Sequence, residues 1–186
     1  MPVSSEIVPP HNLGLVIDFV NTFEAERDIE ELSSPAALAD WLAARQLLQG
    51  PASSIRGNHL AQALRLREAL RALMGAHNGF EPVPDAAREL EAVSARGRLT
   101  VSFDEDGTPR LLARDGGFAG TLARLLIPLV ESSADGTWER VKACRADDCR
   151  WAFYDHSRNR SGAWCDMAVC GNRTKVRAYR ARRAEA

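Results

Sequence analysis

All four cysteines of the chain, Cys144, Cys149, Cys165 and Cys170, fall within 27 residues of 186 and repeat one spacing, two C-x4-C pairs with fifteen residues between them. Two close pairs joined by a hairpin-length spacer are what a tetrahedral four-thiolate metal site needs. Each short pair wraps one edge of the tetrahedron, and the spacer turns the chain back to close it. Thiolate sulfur is soft and anionic, which suits Zn2+, and four protein ligands leave no open coordination position. The expectation is a structural zinc ion. Two disulfides would use the same count only in an oxidising compartment. An iron–sulfur cluster also takes four thiolates, and spacing alone leaves it open.

The cysteines lie in the basic part of an uneven chain. Net charge is −1, but residues 1–138 carry 12 basic and 19 acidic side chains, whereas residues 139–186 carry 12 basic and 6 acidic. From Arg158 to Arg183 there are eight basic groups against Asp166 alone. This asymmetry fits a polyanion-binding module attached to an acidic body, and fits equally a solvated basic helix at a chain end.

Around the cysteines the residues suggest a small fold. Arg150–Asp155 reads as a strand, with Trp151 and Phe153 on one face and Tyr154 on the other, followed by a polar turn over Ser157–Gly162. Gly171 and Asn172 then form a joint with Asn172 as N-cap, and a helix should run from Asn172 to about Arg183. Knuckle, hairpin and helix together describe a treble-clef-like finger. On that helix Arg173, Arg177 and Arg180 make one stripe, while Val176 and Tyr179 are placed to pack on the hairpin. With Lys175, Arg158 and Arg160 the stripe is the candidate phosphate-binding surface, and Asn172 and Arg173 are candidates for reading base edges. The structural alternative is that Asn172 caps the helix and Arg173 pins Asp166 or a carbonyl. One finger covers few base pairs, so a homodimer is expected.

Cys165 to Arg173, with Cys170, Gly171, Asn172 and Arg173 spelling a signature ahead of a basic helix, resembles the CGNR zinc-finger family. In that family the finger follows an N-terminal ABATE domain, whose opening motif is similar to Leu15–Thr22. The resemblance spans nearly the whole chain. It implies a stress-induced transcription regulator whose finger binds DNA.

Residues 1–136 form the expected acidic, ABATE-like body and 137–186 the finger. Leu15, Val16, Phe19, Val20 and Phe23 make one helical face, with Asp18, Asn21 and Thr22 on another. Ser34 and Pro35 open a second helix expected to run through Leu48, and Ser54 to about His77 is a long amphipathic one. Pro84 to about Ala95 is a further short helix. Leu99–Phe103 and Pro109–Ala113 flank Asp104–Gly107 as a β-hairpin, and Gly117 to Ser132 reads as a last helix before a Ser132–Gly136 linker. The predicted fold is thus mainly α with a small β-hairpin in the body (α+β), plus the zinc finger.

No Gly-rich phosphate loop, Walker pattern or HExxH occurs, His11, His59, His77 and His156 are scattered, and no cysteine remains as a nucleophile, so the chain does not read as an enzyme. Asp18, Asn21 and Thr22 could instead converge with Arg67 and Arg71 on a small polar ligand, the arginines taking a carboxylate or phosphate. The alternative is an internal network in which Arg67 pairs Asp18. A finger that binds protein or RNA, on a purely structural body, is the other functional class. The richest apolar run, Leu122–Val130, contains Arg124 and Pro128, too short and polar for a membrane span. With no export signal over Met1–His11, a cytoplasmic location is expected.

Overall fold

The computed structural model describes residues 8–184, so part of the segment searched for an export signal, residues 1–7, lies outside the described residues. Helix α1 (Leu13–Val20) buries Leu13, Val16, Phe19 and Val20, close to the predicted face. It stops short of Phe23, which lies in strand β1 (Phe23–Glu24), paired antiparallel with β2 (Ile29–Glu30).

Helix α2 (Pro35–Ala44) opens as its sequence predicts, with Ser34 Oγ accepting from the Ala37 N–H at 3.1 Å. It does not reach Leu48. Gln46 adopts a left-handed φ of +56°, its N–H donates to the Ala43 carbonyl, and the Leu47 N–H donates to the Leu42 carbonyl at 2.9 Å. This is the Schellman closure, and it turns Leu47 back into the core. Glutamine in place of the usual glycine conceals that stop from sequence reading.

Helix α3 (Gly57–Ala76) is the central element, packing against α1, α2 and α4 (Pro84–Arg96). Strands β3 (Leu99–Phe103) and β4 (Pro109–Ala113) form the expected hairpin, with Phe103 opposite Pro109 and Gly107 at φ +78° in the turn. The single helix expected over 117–132 is two helices, α5 (Phe118–Arg124) and α6 (Ile127–Ser133). Pro128 explains the break: it has no N–H to donate and its ring would clash with a preceding carbonyl inside a continuous helix, so it sits in the first turn of α6.

Strands β5 (Val141–Ala143) and β6 (Ala152–Tyr154) pair antiparallel, Ala143 opposite Ala152. One π-helical turn, Met167–Gly171, leads without a break into α7 (Asn172–Ala184). Helical body, small antiparallel strand pairs and a C-terminal cysteine cluster are the predicted fold class. Residues on both sides of the expected 136/137 boundary fill one core: Val141, Ala143 and Ala152 join Val16, Phe19, Leu66 and Leu70. A second small cluster surrounds the cysteines, with Trp151 and Trp164 against it. Among the described residues no helix is long and apolar enough to cross a membrane.

Candidate metal centre and cationic helix

The β5–β6 hairpin presents the first cysteine pair. The Cys144 N–H extends the ladder to the Trp151 carbonyl at 2.8 Å, and Cys149 closes a turn back to Ala146. Cys165 and Cys170 arrive from the other side, Cys170 within the π turn. All four Sγ atoms lie within 4.8 Å of one another, with Cys149 to Cys165 at 3.6 Å and Cys165 to Cys170 at 3.7 Å. Four sulfurs about 2.3 Å from one central ion would be about 3.8 Å apart, so the set fits a single tetrahedral metal ion. A disulfide needs about 2.05 Å between sulfurs. A multi-iron cluster places metal and sulfide between the cysteines and would spread them further.

The electrostatics call for a cation. Hydrogen bonding from Cys149 and Cys165 draws the Cys144 thiol well below its usual value. The Cys144 sulfur in turn pushes the Cys149 and Cys165 thiols up. One thiolate in this cluster therefore suppresses the next, and only a positive ion lets several ionise together.

A buried ion pair sets the second half of the finger. Lys142 Nζ donates to Asp155 Oδ2 at 2.7 Å and to the carbonyls of Arg160 and Gly162 at 2.6 and 3.0 Å. Asp155 also accepts from the N–H groups of Ser157 and Gly162. A Cβ on Gly162 would sit 2.6 Å from Asp155 Oδ1, so glycine is required for this approach. The 157–162 turn carrying Arg158 and Arg160 is thus fixed, and it delivers Ala163–Cys165 to the metal site.

The signature residues take roles different from those expected. Asn172 is not the N-cap: it is helical, and its Nδ2 donates to the Ala168 carbonyl at 3.0 Å. Asp166 is the cap, its Oδ1 accepting from the Ala168 and Val169 N–H groups at 2.7 and 3.0 Å. Being occupied there, Asp166 does not receive Arg173. Arg173 forms an ion pair with Glu26 on the β1–β2 connection, reaches Asp148 Oδ1 at 3.5 Å, and donates to Cys170 Sγ at 3.5 Å. Arg177 pairs Asp148 at 2.8 Å. Hydrogen bonds from Arg173 and Arg177 lower the carboxyls of Glu26 and Asp148 respectively. The arginine stripe is therefore divided: Arg173 and Arg177 are held by acids, while Lys175 and Arg180 are exposed with no acidic partner within ion-pair distance among the described residues. Val176 and Tyr179, expected to pack on the hairpin, are exposed as well. The hairpin's buried side is already filled by the body, and α7 leans chiefly on the π turn before it.

The family model described as "Putative stress-induced transcription regulator", ABATE, matches residues 13–147, and that described as "CGNR zinc finger" matches 140–183. The chain belongs to the ABATE family. No curated protein matches it. The two matches overlap over 140–147, the stretch containing β5 and Cys144, which is where the ABATE body and the finger share side chains.

Within the ABATE body the five expected ligand contacts do not form an open pocket. Asp18 is exposed, 3.8 Å from Arg45, and does not face Arg67. α1 turns it outward because Val16, Phe19 and Val20 take the inner face. Arg67 instead makes a two-pronged pair with Glu30, both contacts at 2.7 Å, and meets Glu68 at 2.8 Å and Thr22 Oγ1 at 3.3 Å. Arg71 donates to the carbonyls of Val20 and Arg150 at 2.6 and 2.9 Å. Asn21 bonds the backbone of Ala152 in β6. The internal network is the observed arrangement, with Glu30 in the place expected for Asp18. Glu68 was missed although its spacing, one residue from Arg67 and three from Arg71, could have marked it as a partner; Glu30 carries no such signal. His77 and Asn78, at the end of α3, were also missed: they bond the carbonyls of Val141, Ala143 and Ala163 at 2.8 Å.

Proposed function

We propose that this ABATE protein is a zinc-dependent, DNA-binding transcription regulator. Zinc would be held by Cys144, Cys149, Cys165 and Cys170, and it supplies charge neutralisation and a cross-link between the β5–β6 hairpin and the π turn. The observation that carries the reading is α7: every charged side chain from Asn172 to Ala184 is basic, and the helix follows the metal knuckle with residues 175–183 all exposed. A short helix without an apolar face is marginal in water. Fixing its N-terminus at the metal and placing phosphates along its length removes both problems.

The phosphate contacts are assigned to Lys175, Arg180, Arg182 and Arg183, with Arg158 and Arg160 on the 157–162 turn. Arg173 and Arg177 brace the finger against Glu26 and Asp148. The buried Arg67 and Arg71 are satisfied by the body's own groups, and no ligand is proposed there.

Fluorescence anisotropy with duplex genomic fragments over a salt series tests the reading. The zinc-loaded protein should bind with steep salt dependence, and each phosphate contact removed by Arg180→Ala or Arg182→Ala should lower the log–log slope by about 0.9. Binding that is unchanged by a chelator, or a slope indifferent to these substitutions, refutes it. Preference for single-stranded RNA over duplex DNA would favour an RNA-binding finger instead.

A further inference from the structure

Strand β3 has an open edge with unusual symmetry. No strand lies beside it except β4 among the described residues. The Arg114 N–H donates to the Arg98 carbonyl and the Asp104 N–H to the Thr108 carbonyl. Since hydrogen-bonded pairs alternate along an antiparallel ladder, Thr100 and Ser102 also face β4. The N–H and C=O groups of Leu99, Val101 and Phe103 therefore point away from it. Such edges are usually blunted by proline, lysine or a covering element. Pro109 serves that purpose on β4; β3 has no equivalent.

From Arg98 to Asp104 the residues read Arg, Leu, Thr, Val, Ser, Phe, Asp. This order is complementary to itself about Val101. If a second copy runs antiparallel with Val101 opposite Val101, Leu99 meets Phe103, Thr100 meets Ser102 and Arg98 comes beside Asp104. Every outward N–H and C=O of Leu99, Val101 and Phe103 then finds a partner. The apolar side chains agree with this register. Val101 and Phe103 are 58% and 66% exposed, on the same face of the strand as Leu99. Leu99 lines an apolar hollow of about 280 Å³ with Leu90, Leu126, Leu129 and Val130. No β4 residue lines that hollow, and the register would place Phe103 of the partner subunit beside Leu99 at its edge.

We propose that the protein forms a two-fold dimer in which β3 pairs with β3 of a second copy about Val101, making a four-stranded sheet. The contact is isologous and closed, so it ends at two subunits. It follows from the body alone and does not rest on the DNA reading; it would give an assembly with two fingers.

Sedimentation equilibrium of the full-length, metal-loaded protein should give twice the chain mass. Val101→Lys places two like charges on the axis and should yield a monomer with an unchanged circular dichroism spectrum. Val101→Cys should form an interchain disulfide in a glutathione redox buffer, whereas Ser102→Cys, one residue off the axis, should not. A wild-type monomer at every concentration, or a dimer that survives Val101→Lys, overturns the proposal. Equal cross-linking at positions 101 and 102 overturns it too. So does a monomer whose Leu99, Val101 and Phe103 amides resist hydrogen exchange, which would place another segment of the same chain on the edge.

Discussion

Asn21 and Ala152 exchange two hydrogen bonds across 131 residues of sequence: Asn21 Nδ2 donates to the Ala152 carbonyl at 2.9 Å, and the Ala152 N–H donates to Asn21 Oδ1 at 2.8 Å. A side-chain amide thus does for β6 what a neighbouring strand would do, on the edge β5 leaves open. Both atoms are buried, so removing the amide leaves a backbone N–H and C=O without partners. Asn21→Ala should destabilise the protein by about 2–3 kcal/mol, measured by urea unfolding. Asn21→Asp keeps the acceptor and loses the donor, and should be no milder, since it buries a carboxylate.

A second pair of substitutions separates the observed network from the expected one. Glu30→Ala strips the two-pronged partner from Arg67, which is almost wholly buried, and should cost about 2–3 kcal/mol. Asp18→Ala removes an exposed carboxylate far from Arg67 and should stay within about 0.5 kcal/mol of wild type. Parallel denaturation curves for the two variants decide which acid holds Arg67 of α3.

The cysteine spacing, the β3–β4 hairpin and the apolar faces of α1 and α3 were legible because each rests on local rules: ligand geometry, turn chemistry and periodicity. What was not legible depends on tertiary contact or on an atypical residue. Glu30 and Glu26 reach their arginines from β2 and from the β1–β2 connection, in strands of two residues each that are too short to leave a pattern. Asn172 fits an N-cap in isolation, but Asp166 starts a π turn that carries the helix past it. Val176 and Tyr179 lie where a finger helix would pack on its own hairpin, yet that hairpin's buried side faces the body instead. The charge excess of the C-terminal part is read directly from the sequence, whereas its division between bracing and exposed arginines needed Asp148 and Glu26 in place.

Removal of the metal should be felt through the whole molecule. Val141, Ala143 and Ala152 belong to the main core, and Cys144 follows β5 directly. Chelation, or Cys170→Ser, should lower the melting temperature of a single cooperative transition rather than abolish a separate finger transition, with loss of helical signal as α7 frays without its anchor. Calorimetry that resolves two transitions, only one of them metal-dependent, would contradict the shared core.

Acid sensitivity follows from two buried groups. Burial alone would raise Asp155, but Lys142, the Ser157 side chain and the N–H groups of Ser157 and Gly162 outweigh it and hold its carboxyl at about 2. A depressed carboxyl contributes stability that is full above its unfolded value near 4 and is lost as pH falls toward 2, in all about 2 kcal/mol. His77 acts in the same direction at higher pH. Burial lowers it below its usual value against the opposing pull of the Val141 carbonyl, so the unfolded chain takes up a proton before the folded one does. Stability should therefore begin to fall as pH drops below about 6.5, and fall again below about 4. Urea unfolding across this range should show both losses. Lys142→Met should destabilise the protein at neutral pH, because Asp155 is then buried without its cation, and the variant should lose less on acidification since protonating Asp155 now relieves the fold. His77→Gln should flatten only the upper step. If both variants keep the wild-type profile, the acid response arises elsewhere in the chain.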